Sequence, residues 1–249
     1  MKVSRIFGIH AVQAALEYAP GKIQQVWVDS QRQDQRIKPL LDELNSLGIN
    51  VETCERKKLD RFADGKSHQG IVASVTLPAE LTEADLKNAL LYQEATPLFL
   101  VLDHVQDPHN LGACLRSADA AGVNGIIITK DNAVGITPTV CKVASGAAET
   151  IPVYVVTNLV RTLRWLKEQN IWIVGAAGGA VQTFYAVDFT LPVAIVVGAE
   201  EKGLRRLTQE ECDFVVKLPM LGTVESLNLS VATGVLLYEV VRQRLAANA

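Results

Sequence analysis

Residues 98–103 read LFLVLD, an almost wholly apolar run that ends in an aspartate. A short apolar run without polar alternation predicts a strand that is buried on both faces, as in the centre of a parallel sheet. Strand and helix patterns then alternate along the chain. Further strands are predicted at 125–129, 153–156, 171–176, 193–197 and 214–217. This alternation indicates an α/β domain with a parallel sheet over residues 97–249.

A long helix is predicted at the end of this domain, from about Ser226 to Leu245. Apolar residues occur on more than one of its faces. Leu227, Val231, Val235 and Tyr238 share one face, together with Gly234 and Val241. A helix that is apolar on several faces is typical of a core or an interface.

The first 76 residues form a smaller α/β pattern. Strands are predicted at 24–29, 49–53 and 70–75, and helices at 11–19, 37–47 and 57–62. Residues 77–96 are predicted to be a linker and a connecting helix, because Pro78 disfavours continuation of the strand and Thr82 can cap a helix. We therefore expect two domains, at residues 1–76 and 97–249.

The composition is that of a globular protein, with 49% hydrophobic residues and a net charge of −3. No apolar run approaches the roughly 18–20 residues of a membrane span, and we expect no membrane association. The four cysteines are scattered, so we expect reduced thiols, a cytoplasmic location and no metal site. A basic cluster in the N-terminal part offers phosphate contacts, although a solvated helix face has the same composition. It consists of Arg56, Lys57, Lys58 and Arg61.

Three polar loops follow predicted strands, where ligands bind in open parallel sheets. The first contains Asn110, which can cap a helix or meet a ligand, then Gly112 and Arg116. Arg116 lies one helical turn after Gly112 and can reach back toward the loop. The second loop reads GAEEKG at 198–203, and the third reads PMLGTVESLNLSVA at 219–232. Taken singly, each loop is also compatible with helix caps and a glycine turn.

Several common motifs are missing from the sequence. It contains no G-x-G-x-x-G fingerprint, no Walker A lysine and no G-x-S-x-G elbow. This disfavours dinucleotide-dependent, NTP-dependent and hydrolase functions. His104 and His109 have no third metal ligand at suitable spacing, and we interpret both as polar loop residues.

Taken together, the three loops match N-x-G-x-x-x-R, G-x-E-x-x-G and P-M-x-G-x-x-x-S-L-N-x-S-V-A. In order and spacing they resemble the motifs of the SpoU-type RNA ribose 2′-O-methyltransferases of the SPOUT superfamily. The resemblance covers the chain from about residue 97 and implies a deep trefoil knot. The segments FGIHAV at 7–12 and SHQGI at 67–71 resemble the accessory domain of the branch that methylates guanosine in 23S ribosomal RNA. That domain is similar to the RNA-binding folds of ribosomal proteins.

The resemblance implies transfer of a methyl group from S-adenosylmethionine to a ribose 2′-hydroxyl, without a metal. It also implies a homodimer that acts on ribosomal RNA. We expect Arg116 to stabilise the developing alkoxide rather than to act as a base, because a guanidinium keeps its proton; a role as base stays open. The resemblance assigns catalytic roles to Asn110, Arg116, Glu200, Ser226 and Asn228, and cofactor contacts to Gly198, Leu218, Met220, Gly222 and Leu227.

Three alternatives remain at this stage. A transfer-RNA substrate is the second choice within the methyltransferase class. A catalytically silent RNA-binding protein on the same fold is disfavoured by the intact polar motif positions. A nucleotide-dependent oxidoreductase on an ordinary doubly wound fold is disfavoured by the missing glycine fingerprint.

Overall fold

The computed structural model describes residues 2–32, 37–65, 67–93, 95–200 and 202–247. They form two compact units. The first comprises the residues up to Ala79 together with Ile136–Gly146, and the second comprises Glu80–Gly135 and the residues from Ala147 on. None of the described helices combines the length and the hydropathy that a bilayer crossing requires.

The first unit is built on a mixed sheet with the strand order β1-β4-β2-β3. Strands β1 and β2 run antiparallel to β4, and β3 runs parallel to β2. The core contains Val12 and Leu16 of α1 and Leu40 and Leu44 of α2. The elements are β1 (Lys2–Phe7), α1 (Ile9–Tyr18), β2 (Ile23–Asp29), α2 (Lys38–Ser46), β3 (Val51–Cys54), α3 (Arg56–Ala63) and β4 (Ile71–Leu77).

The second unit is built on a sheet in which every described strand pair is parallel, as the sequence predicts. In chain order the remaining elements are β5 (Leu81–Thr82), α4 (Glu83–Leu91), β6 (Leu98–Asp103), α5 (Pro108–Ala120), β7 (Gly125–Thr129), α6 (Pro138–Ala144, in the first unit), α7 (Ala147–Thr150), β8 (Val153–Val156), α8 (Leu159–Glu168), β9 (Trp172–Ala176), β10 (Gln182–Thr183), β11 (Val193–Gly198), α9 (Arg206–Glu210), β12 (Phe214–Lys217) and α10 (Leu229–Ala247). The strand order is β10-β12-β9-β11-β6-β7-β8-β5.

Strands β6 and β11 lie at the centre of this sheet, and all of their residues are buried. Their register pairs Gly198 with Asp103, so the two strands end side by side. The chain adds β7 and β8 on one side of β6 and then crosses to β9 on the other side of β11. Such a reversal opens a crevice at the carboxyl ends of the central strands. The trefoil knot stays a prediction.

The segment between the two predicted domains begins with Leu77, the last residue of β4, and from Glu80 on it belongs to the second unit. Strand β5 pairs parallel with β8. Helix α4 begins after Thr82, as the sequence predicts. The Thr82 hydroxyl accepts from the backbone N–H of Asp85, and the Asp85 carboxylate accepts from the N–H of Thr82 at 2.7 Å. This reciprocal cap satisfies two N–H groups that the helix leaves free. The domain boundaries at residues 76 and 97 stay predictions.

Helix α10 begins three residues later than predicted, because Asn228 rather than Ser226 precedes it as the cap. The Asn228 Oδ1 atom accepts from the backbone N–H of Ser230 at 2.9 Å and from its hydroxyl at 2.6 Å. The buried face of α10 contains Leu229, Thr233, Leu236, Leu237 and Val240. The apolar residues Val231, Val235 and Tyr238 lie on its exposed side, as does Leu227 just before the helix.

Arg244 near the end of α10 holds the opposite, amino-terminal end of the central strands. Its guanidinium donates to the carbonyl oxygens of Thr96 and Pro97, just before β6, each at 2.9 Å. It also donates to the carbonyls of Phe189 and Leu191, just before β11, at 3.0 and 2.9 Å. One planar cation therefore satisfies four loop carbonyls.

We expect Arg244→Ala to lower the free energy of unfolding by about 2–3 kcal/mol, since several bonds from one charged donor disappear together. Arg244→Lys should recover less than half of this loss, because an ammonium cannot serve four separated carbonyls as a planar fork does. Denaturant unfolding of the three proteins measures the effect. Equal stability of the lysine variant and the natural chain would show that the positive charge at residue 244, and not the planar guanidinium, provides the stabilisation.

Candidate active site

The first turn of α5 carries one polar motif into the crevice. Asp107 is the N-cap of α5, and its carboxylate accepts the backbone N–H of His109 at 3.0 Å. Asn110, which the sequence allows as a cap, lies inside the first turn and is buried. Because Asp107 rather than Asn110 caps the helix, the Asn110 side chain can form hydrogen bonds across the crevice.

Three side chains from the three motifs form one hydrogen-bonded cluster, here called the Asn110–Glu200–Asn228 network. The Asn110 Nδ2 donates to Glu200 Oε1. The Asn228 Nδ2 donates to Asn110 Oδ1 at 3.1 Å and to Glu200 Oε1 at 3.3 Å. Residues 118 positions apart in the sequence thus contact each other directly. The structure brings together three of the five residues assigned to catalysis.

The cap of α10 fixes the orientation of this network. Because Asn228 Oδ1 already accepts from Ser230, its Nδ2 is the atom that must face Asn110 and Glu200. In an amide the oxygen is the acceptor and the nitrogen carries both donors. Only one orientation of the Asn228 side chain therefore satisfies all of these bonds. The carboxylate of Glu200 is then held by two amide donors at one oxygen.

Gly198 ends β11 where the following loop folds back on the strand. Ala199 and Gly203 form an isolated antiparallel bridge, with the Gly203 N–H donating to the Ala199 carbonyl at 2.8 Å. A Cβ atom on Gly198 would lie 2.1 Å from the carbonyl carbon of Gly203. The resemblance assigns a cofactor contact to Gly198; the structure shows that the loop's own backbone also packs against this residue.

A cavity of about 820 Å³ opens beside this loop, at the carboxyl ends of β9, β11 and β12. Four of the five predicted cofactor residues line it. Gly222 does not, and it lies exposed in the third loop. Site residues on the wall are Gly198, Glu200, Leu218, Met220, Ser226, Leu227 and Asn228.

A second cavity, of about 430 Å³, lies on the other side of the network at the end of β6. Its wall includes Asn110, Asp103 and His104. The two cavities share Ala199, Glu200, Gly203 and Leu229 as lining residues. The network therefore lies at the wall that the two cavities share.

Asp103 and His104 are site residues that sequence analysis did not select. The Asp103 side chain is completely buried, contacts His104 Nδ1 and accepts the backbone N–H of Arg205 at 3.1 Å. The available signal was the charged residue at the end of an apolar strand, since a buried carboxylate requires partners.

Arg116 and Ser226 lie outside the network. Arg116 is exposed on α5, lines neither cavity and makes no hydrogen bond or ion pair within the described part of the chain. Ser226 is exposed on the wall of the larger cavity. Both side chains are thus available to a ligand.

The basic cluster of the first unit divides into paired and unpaired cations. Arg56 lies 3.6 Å from the Asp29 carboxylate, and Lys58 contacts Glu52. The bond from Lys58 holds the pKa of the Glu52 carboxyl below its ordinary value. Lys57 and Arg61 are exposed and have no ion-pair partner among the described residues.

Among all the residues that the structure describes, in both units, no group of three or more His, Cys, Asp and Glu side chains is arranged to hold a metal ion.

Comparison with known families agrees with this geometry. The model of the SpoU rRNA methylase family matches residues 97–238. A second family model, described as RNA 2′-O ribose methyltransferase substrate binding, matches residues 5–81. The chain belongs to the SpoU rRNA methylase family.

Several individual proteins are similar to this chain. The chain is 54% identical to the 23S rRNA (guanosine-2′-O-)-methyltransferase RlmB of Shewanella oneidensis, over 96% of this chain and 97% of that protein. It is 53% identical to RlmB of Haemophilus influenzae, over 98% and 99%. A similar solved structure is the SpoU methyltransferase AviRb of Streptomyces viridochromogenes with the cofactor AdoMet. It has a TM-score of 0.68 and 26% identity and covers 98% of this chain and 91% of AviRb.

We expect Gly198→Ala to lower the free energy of unfolding by about 1–3 kcal/mol, because the added methyl group meets backbone atoms that cannot rotate away. Thermal or denaturant unfolding measures this. Gly179→Ala is the matched control, since a Cβ there has no atom within 4 Å. Equal stability of the two variants would contradict the close approach at Gly198.

Proposed function

We propose that this protein transfers a methyl group from S-adenosylmethionine to the ribose 2′-hydroxyl of a guanosine in 23S ribosomal RNA. The observation that carries the proposal is the Asn110–Glu200–Asn228 network, which joins the three family motifs between two adjacent cavities. The substrate assignment is supported by relatives of that name at 53–54% identity over nearly the whole chain. Such a substrate implies a cytoplasmic location.

The larger cavity is the proposed site for S-adenosylmethionine. Its volume of about 820 Å³ is within the usual range for small-molecule sites. Its wall combines apolar residues, such as Leu218, Met220 and Leu227, with Gly198 and with Glu200 and Asn228 of the polar network. This lining suits a ligand that combines a nucleoside, whose base packs on apolar side chains, with a charged sulfonium and further polar groups.

The cofactor supplies an electrophilic methyl group on a sulfonium, so the main task of the protein is alignment. Asn110 and Asn228 hold the Glu200 carboxylate on the wall common to both cavities. The smaller cavity then receives the ribose. Arg116, exposed and unpaired within the described residues and outside both cavities, contacts a phosphate of the RNA next to that ribose.

The test is methyl transfer from labelled S-adenosylmethionine to a 23S rRNA fragment, with transfer RNA as the competing substrate. We expect label on a guanosine ribose of the rRNA. Arg116→Ala should lower the rate by about 100-fold, as expected when the reacting ribose loses a positioning contact. Its affinity for S-adenosylhomocysteine should be unchanged, because Arg116 lies outside the cofactor cavity.

Transfer to transfer RNA alone would favour the second substrate class. Binding of RNA without any transfer would favour a silent RNA-binding protein. Full activity of Arg116→Ala would remove the role given to that residue.

We also propose a homodimer formed through the exposed face of α10. Val231, Val235 and Tyr238 follow each other at helical spacing, and each is more than a third exposed in the single chain. Contiguous apolar surface of this kind is typical of a protein–protein interface. The buried face of the same helix already contributes to the core of the second unit.

We expect Val235→Asp to convert the dimer into a monomer at micromolar concentration, because a carboxylate would be desolvated in the interface. Light scattering measures the mass. Val181→Asp is the matched control, since Val181 is 95% exposed outside α10. A monomeric natural chain, or a dimeric Val235→Asp variant, would contradict this interface.

We propose that the first unit binds the RNA through its exposed cations. Lys57 and Arg61 are unpaired among the described residues, whereas Arg56 and Lys58 contact carboxylates that compete with phosphate. All four side chains belong to α3. Contacts of this type set affinity and orientation rather than sequence preference.

We expect the double variant Lys57→Glu, Arg61→Glu to weaken RNA binding and to reduce the slope of log affinity against log salt by about 0.7–0.9 for each phosphate that is no longer neutralised. Fluorescence titration of an rRNA fragment measures both quantities. Lys38→Glu on α2 is a control that reverses charge at another site of the same unit, and S-adenosylhomocysteine affinity should not change in either protein. An unchanged salt slope would show that these cations do not meet phosphate.

A further inference from the structure

A third cavity, of about 560 Å³, lies at the carboxyl ends of β7 and β8. It shares His104, Asn132 and Arg205 with the smaller cavity, so the two are neighbours along the same edge of the sheet. All of its lining residues belong to the second unit. The network does not extend to this cavity, since Asn110, Glu200 and Asn228 are absent from its wall.

Thr208 is a buried residue whose hydroxyl has no partner inside the described protein. The residue is 2% exposed, lines the third cavity and makes no side-chain hydrogen bond among the described residues. Thr162 and Thr233, which are completely buried, each donate to the carbonyl four residues earlier, at 3.1 and 2.9 Å. Thr208 lies in the first turn of α9, and the residue four positions earlier precedes even the N-cap of that helix. Only an occupant of the cavity can supply the missing bond.

Helix α8 begins at the same cavity. Its N-cap Asn158 accepts the backbone N–H of Arg161 at 3.0 Å. The preceding N–H groups, of Leu159 and Val160, donate to no atom of the described residues, and both residues line the cavity. Unpaired N–H groups at the start of a helix, together with the positive end of its dipole, attract anions.

Arg205 adds a positive charge where the smaller and the third cavity share their wall. Its backbone N–H donates to the Asp103 carboxylate at 3.1 Å, which fixes the base of the side chain. The side chain is exposed and makes no hydrogen bond or ion pair within the described part of the chain. The next residue, Arg206, instead contacts Glu210. Arg205 is therefore available to an anionic ligand.

The chemistry of this wall favours an RNA phosphodiester over a free phosphate. The unpaired groups named above can all donate hydrogen bonds, but one lining residue, Asp131, is a carboxylate. A free phosphate monoester carries close to two negative charges at neutral pH and would be repelled by that carboxylate. A phosphodiester carries a single charge and lies beside ribose 2′-hydroxyls, which can donate to a carboxylate.

We propose that the third cavity binds a phosphodiester of the RNA strand that neighbours the methylated nucleotide. The inference rests on the proposed function, in which the adjacent smaller cavity receives the ribose. The N–H groups of Leu159 and Val160 and the hydroxyl of Thr208 donate to the phosphate oxygens. The guanidinium of Arg205 balances the charge. Such contacts fix the position of the strand on the protein without reading its sequence.

This phosphate is distinct from the one assigned to Arg116. That arginine lies on α5 and lines none of the three cavities. The strand is therefore held at two separate points.

The experiment measures the affinity of the natural chain, Arg205→Ala and Thr208→Val for the rRNA fragment by fluorescence titration. Valine keeps the branched shape of threonine and removes the hydroxyl. We expect each variant to bind about tenfold more weakly, as for the loss of a hydrogen bond to a charged group. The affinity for S-adenosylhomocysteine should be unchanged, because neither residue lines the larger cavity.

Thermal melting separates a ligand contact from a structural role. Thr208→Val should keep the natural melting temperature, because no internal hydrogen bond is lost. Thr162→Val is the matched control and should show the reverse: a lower melting temperature and natural RNA affinity, because its hydroxyl bonds to the Asn158 carbonyl. Arg205→Ala changes an exposed side chain and tests the same cavity if Thr208→Val does not fold.

Lys130→Ala is the control for charge. Lys130 is exposed, follows β7 and lines none of the three cavities. Its loss should leave RNA affinity close to the natural value, whereas the loss of Arg205 should not.

An uncharged methylphosphonate, placed in turn at each linkage beside the methylated guanosine, locates the phosphate. At one linkage it should weaken binding to the natural chain by about tenfold and cause no further loss in Arg205→Ala, because contacting groups are not additive. Additive losses at every linkage would show that Arg205 contacts none of these phosphates.

Natural RNA affinity in both Arg205→Ala and Thr208→Val, or an equal loss in Lys130→Ala, would overturn this inference while leaving methyl transfer intact. Inorganic phosphate that raises the melting temperature of the natural chain but not of Thr208→Val, with RNA affinity unchanged between them, would assign the cavity to a free anion and also overturn it. Absence of transfer by the natural chain to any RNA would overturn the proposed function together with this inference. The activity of the natural protein therefore distinguishes the two failures.

Discussion

The parallel pairing of β6 with β11 is the contact on which the site depends. It joins strands that lie far apart along the chain, and its register places Gly198 beside Asp103 at the same edge of the sheet. The loops that leave the two strands therefore start side by side. One leads to Asn110 in α5, and the other carries Glu200. A shift of one residue in this register would turn every side chain of one strand to the other face of the sheet.

Burial gives this arrangement its rigidity. Polar groups at the strand ends are removed from water, so each needs a partner inside the protein. Asp103 finds the Arg205 N–H and His104, while Asn110 finds Glu200 and Asn228. At the other end of the same strands, Arg244 satisfies the carbonyls of the entering loops. Both ends of the central strand pair are thus fixed by satisfied polar contacts.

Helix α10 connects this geometry to two further surfaces. Its cap, Asn228, belongs to the polar network, and its buried face packs in the core of the second unit. Its exposed apolar face is the proposed dimer interface. One helix therefore joins the network, the core and the proposed contact between subunits. A change of its position would affect all three.

Much of the fold follows from local patterns. Apolar runs locate β6, β7 and β11, because a strand buried on both faces needs apolar residues throughout. Sequence analysis missed β1, whose run KVSRIF alternates poorly and lies at the edge of its sheet, where one side is unpaired. It also missed β5, β10 and α9, which are too short for a periodic signal.

Local sequence patterns predict the α/β class and the parallel sheet, and they contain the three motifs that assign the chain to its family. Residue order along the chain encodes these features directly. The folded structure, and not the sequence pattern, shows that Asn110, Glu200 and Asn228 bond to one another, that Gly222 lies off the cavity wall and that Asp103 contacts His104. It also decided which apolar face of α10 is buried. These contacts depend on pairing between strands that lie far apart in the sequence. A local sequence pattern contains no information about the register of that pairing.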